Sequence, residues 1–153
     1  MDNLDYIILN LLKQNSRIKA SQISKDIHLS VSTVIERIKK MESSGIIDRY
    51  TTMTNGQKLG NDVSVLMEVS IEHERYNENF SENIRKHPNV EACYYITGDF
   101  DFNVKISCRS SEQLETIHKW IKNIRGVRAT RTHYVLKTVK ESDYYIPKPD
   151  DKK

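Results

Sequence analysis

The stretch Ser21–Arg49, SQISKDIHLSVSTVIERIKKMESSGIIDR, decides how the first part of this chain folds. Its apolar residues recur at helical spacing in two short segments, and His28-Leu29-Ser30 separates these segments as a turn. Ser30 is a good N-cap residue for the second segment. Gly45 follows that segment, as glycine does just past the end of a helix. The stretch therefore predicts a helix-turn-helix, the arrangement that places its second helix in the major groove of DNA.

The second helix of this motif has a polar outer face, which we interpret as the candidate DNA contact surface. Its members are Ser32, Thr33, Glu36, Arg37, Lys39 and Lys40. The first three lie near the helix start, where they would reach base edges or phosphates, and the three basic residues would bind mainly phosphates. Arg37 has a competing role, because it is also placed to pair with Glu42 or Asp48 inside the domain.

The inward face of the same helix is expected to be apolar, and a further helix precedes the motif. The residues expected to point inward are Val31, Val34, Ile35, Ile38 and Met41. Upstream, a stripe from Leu4 to Leu12 predicts a helix that ends near Asn15 and Ser16. The alternative interpretation is a small helical bundle whose polar face is only solvated.

Beyond the turn signals at Asn55-Gly56 and 59–62, the apolar period changes from helical to alternating. The pattern predicts, in order, a strand over 63–71, a helix around 76–84 stopped by Pro88, strands over 90–96 and 100–108, a helix over 114–124 closed by Gly126, and a long strand from 127 to about 139. This β-α-β-β-α-β order is the ferredoxin-like motif. Such a sheet leaves one face uncovered by helices, so dimerisation is expected.

The fold class that we predict is α+β, with a winged-type helix-turn-helix followed by a ferredoxin-like βαββαβ domain. The expected domains are a DNA-binding domain over 1–50, a linker over 51–61, an effector-binding and oligomerisation domain over 62–140, and a flexible tail over 141–153. The chain of 153 residues has 37% hydrophobic and 29% charged residues, as a soluble globular protein does. It has no apolar run near the ~18 residues of a membrane span and no signal-peptide pattern, so we expect a cytoplasmic protein without membrane contact.

Charge and cysteine content are less informative than the motif. The net charge of +3 is modest, so only the placement of basic residues on one helix favours nucleic acid. Cys93 and Cys108 have no neighbouring Cys or His at metal-ligand spacing. We therefore predict no metal site, no disulfide and no cofactor.

Three stretches of the chain resemble a known family of regulators. Leu29-Ser30 with Ser32, Val34 and Arg37, followed by Gly45-Ile46-Ile47, is similar to the leucine-responsive and asparagine-responsive regulators, the Lrp/AsnC or feast/famine family. Thr97–Asp101 resembles the effector-loop motif of that family, and Val127–Lys140 resembles its closing strand. The resemblance covers residues 2 to about 142. It implies sequence-specific binding to double-stranded DNA, homodimers built on the second domain and assembled into tetramers or octamers, and an amino-acid effector bound between dimers.

The predicted effector site lies at the turn before the third strand and on the last strand. Its members are Gly98, Asp99, Phe100, Asp101, His133 and Tyr134. Gly98 can adopt positive φ and expose backbone N–H groups to a carboxylate, while the carboxylate of Asp101 suits an α-ammonium. From these residues alone an ordinary hairpin turn is the favoured interpretation, and the resemblance favours the effector site. His133 and Tyr134 are equally compatible with sheet or interface packing, and we expect Tyr94-Tyr95 to serve sheet packing.

The sequence does not favour catalysis. The five histidines are scattered, and the chain has neither a local nucleophile signature nor a glycine-rich phosphate loop, so we predict no catalytic residues and no enzyme. Two alternatives remain open. One is an architectural DNA-binding protein of low specificity. The other is a tetrapyrrole decarboxylase, because some enzymes of that kind resemble this two-domain plan.

Overall fold

The computed structural model describes residues 1–141 and 145–147 and contains two compact units. The first unit is built on Met1–Met53 and the second on Thr54–Val139. Within the described residues, none of the helices combines the length and the apolar content that crossing a bilayer requires.

The first unit consists of three helices: α1 Asn3–Gln14, α2 Ala20–Ile27 and α3 Val31–Ser43. Local chemistry explains their bounds. Asp2 and Asp5 form a capping box at the start of α1, and Ser30 caps α3 by accepting a hydrogen bond from the amide of Thr33. His28 adopts the left-handed conformation, with φ 55°, and so turns the chain between α2 and α3. The helix-turn-helix prediction is confirmed.

The core of the first unit is small and draws on all three helices. Its buried members are Ile8, Leu12, Ile23, Val34 and Met41. The sequence-based prediction was wrong for two residues of α3, since Val31 is 41% exposed and Ile35 is 40% exposed. Both lie at the flank of the apolar stripe, where a helical period alone does not separate the inside from the outside.

The second unit is a four-stranded antiparallel sheet with two helices. The strands are β1 Val63–Ile71, β2 Val90–Tyr95, β3 Phe102–Cys108 and β4 Val127–Tyr134, and the helices are α4 Asn77–Lys86 and α5 Ser111–Lys122. The spatial order of the strands is β2-β3-β1-β4. The βαββαβ order is therefore confirmed. The last strand is shorter than predicted, because it ends at Tyr134, and Leu136 and Val139 beyond it are almost fully exposed.

The core of the second unit lies between the sheet and its two helices. Val65, Met67 and Val69 of β1 are completely buried, and the rings of Phe80 in α4 and Phe102 in β3 lie 4.7 Å apart. Side chains alternate between the two faces of a strand, so a second set points away from this core. We call this set the open face; cross-strand pairing aligns on it Leu66, Glu68, Asn103, Lys105, Arg131 and His133.

Candidate functional site

The start of α3 holds a cluster of three hydroxyl groups. The Oγ atom of Ser30 lies 2.9 Å from Ser32 Oγ and 2.7 Å from Thr33 Oγ1, in addition to capping the Thr33 amide at 3.1 Å. This network orders the hydroxyls of Ser32 and Thr33 at the N-terminal end of α3, the end that contacts base edges when such a helix enters the major groove. Both predicted contact residues therefore lie together near the helix start.

Arg37 has a structural partner, and it differs from the partners that the sequence suggested. Its Nη1 atom lies 2.8 Å from Asp2 Oδ2 and 2.7 Å from Asp5 Oδ1, so it joins α3 to the start of α1. The hydrogen bonds to Asp5 and Asp2 raise the pKa of Arg37. The backbone amide of Asp5, and after it Arg37, lower the pKa of Asp2.

The predicted pairing of Arg37 with Glu42 or Asp48 is wrong. Glu42 accepts a hydrogen bond from the Tyr50 hydroxyl at 2.8 Å, and Asp48 lies 3.7 Å from Arg49. Partial burial, followed by the Glu42 carboxylate, raises the pKa of Tyr50 to about 12. Sequence proximity suggested the wrong acids, because Asp2 and Asp5 approach Arg37 only when α1 packs beside α3.

The other predicted DNA contacts lie on the exposed side of α3. Glu36, Lys39 and Lys40 are all exposed. Together with Ser32 they form an outer face that carries two ammonium groups and one carboxylate. Such a face suits a mixture of phosphate contacts and base-edge contacts.

The loop that precedes β3 is tied to β1 through Asp101. The Asp101 amide donates to the carbonyl of Val69 at 3.0 Å, and its carboxylate Oδ2 accepts from the Ile71 amide at 2.6 Å. The Asp101 carbonyl accepts from the Ile96 amide at 2.8 Å and closes the loop. Part of the hydrogen-bonding capacity of this carboxylate is therefore used within the fold.

The tip of this loop is accessible. Gly98 has φ 122° and is exposed, with no atom within 4 Å of the position that a Cβ would take, and Asp99 is exposed as well. The ring of Phe100 lies under the guanidinium of Arg131, at 4.6 Å from its centroid. Arg131 thereby places a cation beside the loop, a neighbour that only the strand register reveals.

His133 and Tyr134, the two predicted site residues of β4, point to opposite faces of the sheet. His133 pairs with Leu66 on the open face, and its Nε2 atom lies 3.1 Å from Glu68 Oε2. Tyr134 pairs with Val65, whose side chain belongs to the core face. The fold thus brings His133 near Arg131 and Glu68 and separates it from Tyr134.

Glu68 links this part of the open face, although it is not among the site residues predicted from the sequence. The Nη1 atom of Arg131 lies 3.5 Å from Glu68 Oε2, so Glu68 faces both Arg131 and His133. The signal that could have found Glu68 was weak: it is one of the polar positions of an alternating strand.

The tyrosines of β2 and the two cysteines lie outside the predicted contact sites. Tyr94 and Tyr95 are both exposed, contrary to the expectation of sheet packing, although the Tyr95 ring lies 5.1 Å from Phe102. Burial raises the pKa of the Cys93 thiol to about 11 and also raises the pKa of Cys108, so both thiols are protonated at neutral pH. Across the described part of the chain, no three His, Cys, Asp or Glu side chains gather into a possible metal site.

Two family models together match most of the chain. Residues 1–48 match a family model described as winged helix-turn-helix DNA-binding, and residues 64–145 match one described as Lrp/AsnC ligand binding domain. The HTH-type transcriptional regulator FL11 of Pyrococcus furiosus is 33% identical over 142 residues, which cover 93% of this chain and 93% of FL11. The regulator LrpC of Bacillus subtilis is 33% identical over 91% of this chain and 94% of its own.

The solved structures agree with these relatives. The structure of B. subtilis LrpC matches with a TM-score of 0.80 over 92% of this chain and 97% of that chain, at 33% identity. A transcriptional regulator from Neisseria meningitidis, crystallised as a complex with L-Met, matches with a TM-score of 0.88 over 93% of this chain and 94% of that chain, at 25% identity.

Proposed function

The chain belongs to the Lrp/AsnC family of DNA-binding transcriptional regulators, and from that premise we propose that α3 reads a specific operator while the second unit binds a free amino acid that modulates the reading. It is a regulator and not an enzyme, as its relatives are named. In functional terms residues 1–50 are the DNA-binding domain, 51–61 the linker and 62–140 the effector and assembly domain. We propose that the protein carries out this role in the cytoplasm.

The observation that carries the DNA part of the proposal is the capped and exposed start of α3. Ser32, Thr33 and Glu36 supply hydrogen-bonding groups where a recognition helix meets base edges. Lys39 and Lys40 supply phosphate contacts further along the helix. Arg37 acts mainly by holding α1 against α3, because two carboxylates already engage its guanidinium.

An amino-acid effector is supported by the chemistry around the 98–101 loop. The exposed Gly98–Asp99 backbone offers N–H groups for a carboxylate. The Asp101 carboxylate keeps acceptor capacity beyond its bond to Ile71, because a carboxylate has about four lone-pair sites, and it would take the α-ammonium. Arg131, whose guanidinium lies 4.6 Å from the centroid of the Phe100 ring, places a cation beside this loop. The relative that was crystallised with L-Met favours the same class of ligand.

The exposed apolar centre of the open face supports assembly through this face. Its central side chain, Leu66, is 37% exposed and lies between Lys105 and His133, and a second copy of the sheet would cover it. We place a homodimer there, with tetramers or octamers built from dimers. A two-fold dimer would present its two α3 helices to half-sites spaced by about one DNA turn, ~34 Å, or a multiple of it.

The proposal is tested with the full chain and a randomised duplex pool. Repeated selection should enrich one motif, bound at least about 10³-fold more tightly than unrelated DNA at the same salt concentration. Adding each free amino acid in turn should change the affinity for the selected duplex in at least one case. Equal affinity for selected and unrelated DNA would favour an architectural DNA-binding protein instead.

A further inference from the structure

We propose that Val31 and Ile35 read thymine methyl groups in the major groove and so determine part of the operator sequence. The proposal rests on the proposed function, namely that α3 is the DNA-reading helix. Two apolar residues thereby join a contact surface whose other predicted members are all polar or charged.

The first step is the exposure of both side chains. Val31 is 41% exposed and Ile35 is 40% exposed, whereas Val34 between them is completely buried. Among the described residues, the core cluster of the first unit and the apolar side chains packed against it include neither of the two. Because Val31 and Ile35 are four residues apart on α3, they are neighbours on the helix surface and form one apolar pair.

The second step is their position. Val31 is the first residue of α3, directly after the Ser30 cap, and Ile35 follows one turn later. A helix-turn-helix protein uses the N-terminal residues of its recognition helix to contact base edges. The pair also borders the predicted polar contacts Ser32 and Glu36, so the apolar and polar residues form one continuous surface.

The third step is the chemistry of the groove. The C5-methyl of thymine is the apolar group that a base pair presents at its major-groove edge, and aliphatic side chains recognise it by contact. The branched side chains of Val31 and Ile35 present methyl groups at the N-terminal end of α3, where base edges are contacted. Neither side chain carries a group that would have to give up a hydrogen bond to water. Covering them with thymine methyls removes apolar surface from water on both partners. The operator should therefore carry thymine opposite each of the two residues.

The test replaces thymine by uracil, which lacks only the methyl group. The full-length protein is used to select a motif from a randomised duplex pool, and the selected duplex is then synthesised with uracil at one thymine position at a time. At the positions read by Val31 and Ile35, uracil should weaken binding by about fourfold for each methyl group lost. The double variant Val31→Ala with Ile35→Ala should bind the thymine and uracil duplexes equally.

Two control variants separate the recognition of thymine methyl groups from general changes in DNA affinity. Lys40→Ala should weaken both duplexes by the same factor and keep the preference for thymine. Ile7→Ala removes an exposed apolar side chain from α1 and should leave both affinities unchanged.

A thymine preference that disappears in the double variant supports the proposal. A wild-type protein that binds its motif tightly but shows no thymine preference at any position, or a double variant that keeps the preference, overturns this inference and leaves the proposed function standing. A wild-type protein that selects no motif overturns both.

Discussion

The Nη1 atom of Arg37 in α3 lies 2.7 Å from Oδ1 of Asp5 in α1, so one ion pair joins the first helix to the third. The side chain of Arg37 is 26% exposed and that of Asp5 is 15% exposed, which protects the pair partly from water. Asp2 approaches the same guanidinium atom at 2.8 Å. The residues that cap α1 thus also hold α3 in place.

We expect Arg37→Ala to lower the free energy of unfolding of the first unit by about 1–2 kcal/mol, because it leaves Asp2 and Asp5 facing each other without a cation. Chemical denaturation monitored by circular dichroism measures this effect. Lys39→Ala is the matched control, since it removes an exposed cation from the same helix and should change stability by less than about 0.5 kcal/mol. Equal stability of the two variants would contradict the structural role of Arg37.

Lys40 and Thr33 should affect DNA binding in different ways. Lys40→Ala should weaken binding to all sequences and reduce the slope of log affinity against log salt by about one, because one phosphate contact is lost. Thr33→Ala should change the preferred sequence and leave that slope unchanged, since its hydroxyl lies at the base-reading start of α3. Titrations of labelled duplexes at several salt concentrations give both quantities. If neither variant alters DNA binding while both remain folded, α3 is not the recognition helix.

Asp101 combines an observed structural contact with a proposed effector contact, and two substitutions separate these roles. Asp101→Asn retains an oxygen for the Ile71 amide but loses the charge, so it should weaken amino-acid binding by roughly ten- to a hundredfold and keep the fold. Asp101→Ala also leaves the buried Ile71 amide without this acceptor and should lower the free energy of unfolding by about 1–3 kcal/mol. Calorimetric titration with free amino acids and thermal melts report the two effects. Undiminished affinity in Asp101→Asn, or no amino-acid binding by the wild type, would rule out the sensing role.

The open face should control assembly. Leu66→Lys places a second ammonium group beside Lys105 at the centre of this face, where burial between subunits would remove a charge from water. We therefore expect it to shift the protein from dimers or larger species toward monomers. Sedimentation velocity at micromolar concentration measures the change. Leu59→Lys, a substitution of a more exposed leucine outside the strands, is the control and should assemble normally. A wild-type protein that sediments as a stable monomer would refute the interface.

Gly126 should tolerate no side chain. It has φ 95°, and a Cβ at this position would lie 2.4 Å from the Cβ of Tyr76, so Gly126→Ala must displace the segment before α4. We expect a loss of at least about 2–3 kcal/mol in the free energy of unfolding. Gly60 has a similar φ of 84°, but no atom lies within 4 Å of the position that its Cβ would take, so Gly60→Ala should cost only about 1 kcal/mol of backbone strain. Denaturant titration of the two variants compares the steric contribution directly, and equal losses would show that backbone strain alone governs Gly126.

The amino-acid sequence by itself determined the order and type of the helices and strands. Apolar periods of 3.6 and 2, the Ser30 cap and the turn at His28 act over a few residues, so they can be read along the chain. The same local signals located the start of α3 and the exposed loop at Gly98. They also placed β1 and most of β3 correctly.

The tertiary structure decided which side chains meet. Arg37 finds Asp2 and Asp5 because two helices pack side by side, and Glu68 finds Arg131 and His133 because β1 and β4 pair in one particular register. The alternating apolar pattern of β1 excludes a shift of one residue, which would move every side chain of the strand to the other face, but it does not distinguish registers that differ by two residues. The exposure of Val31 and Ile35 was likewise decided by tertiary packing. Residues at the flank of an apolar stripe are buried or exposed depending on where the neighbouring helix packs.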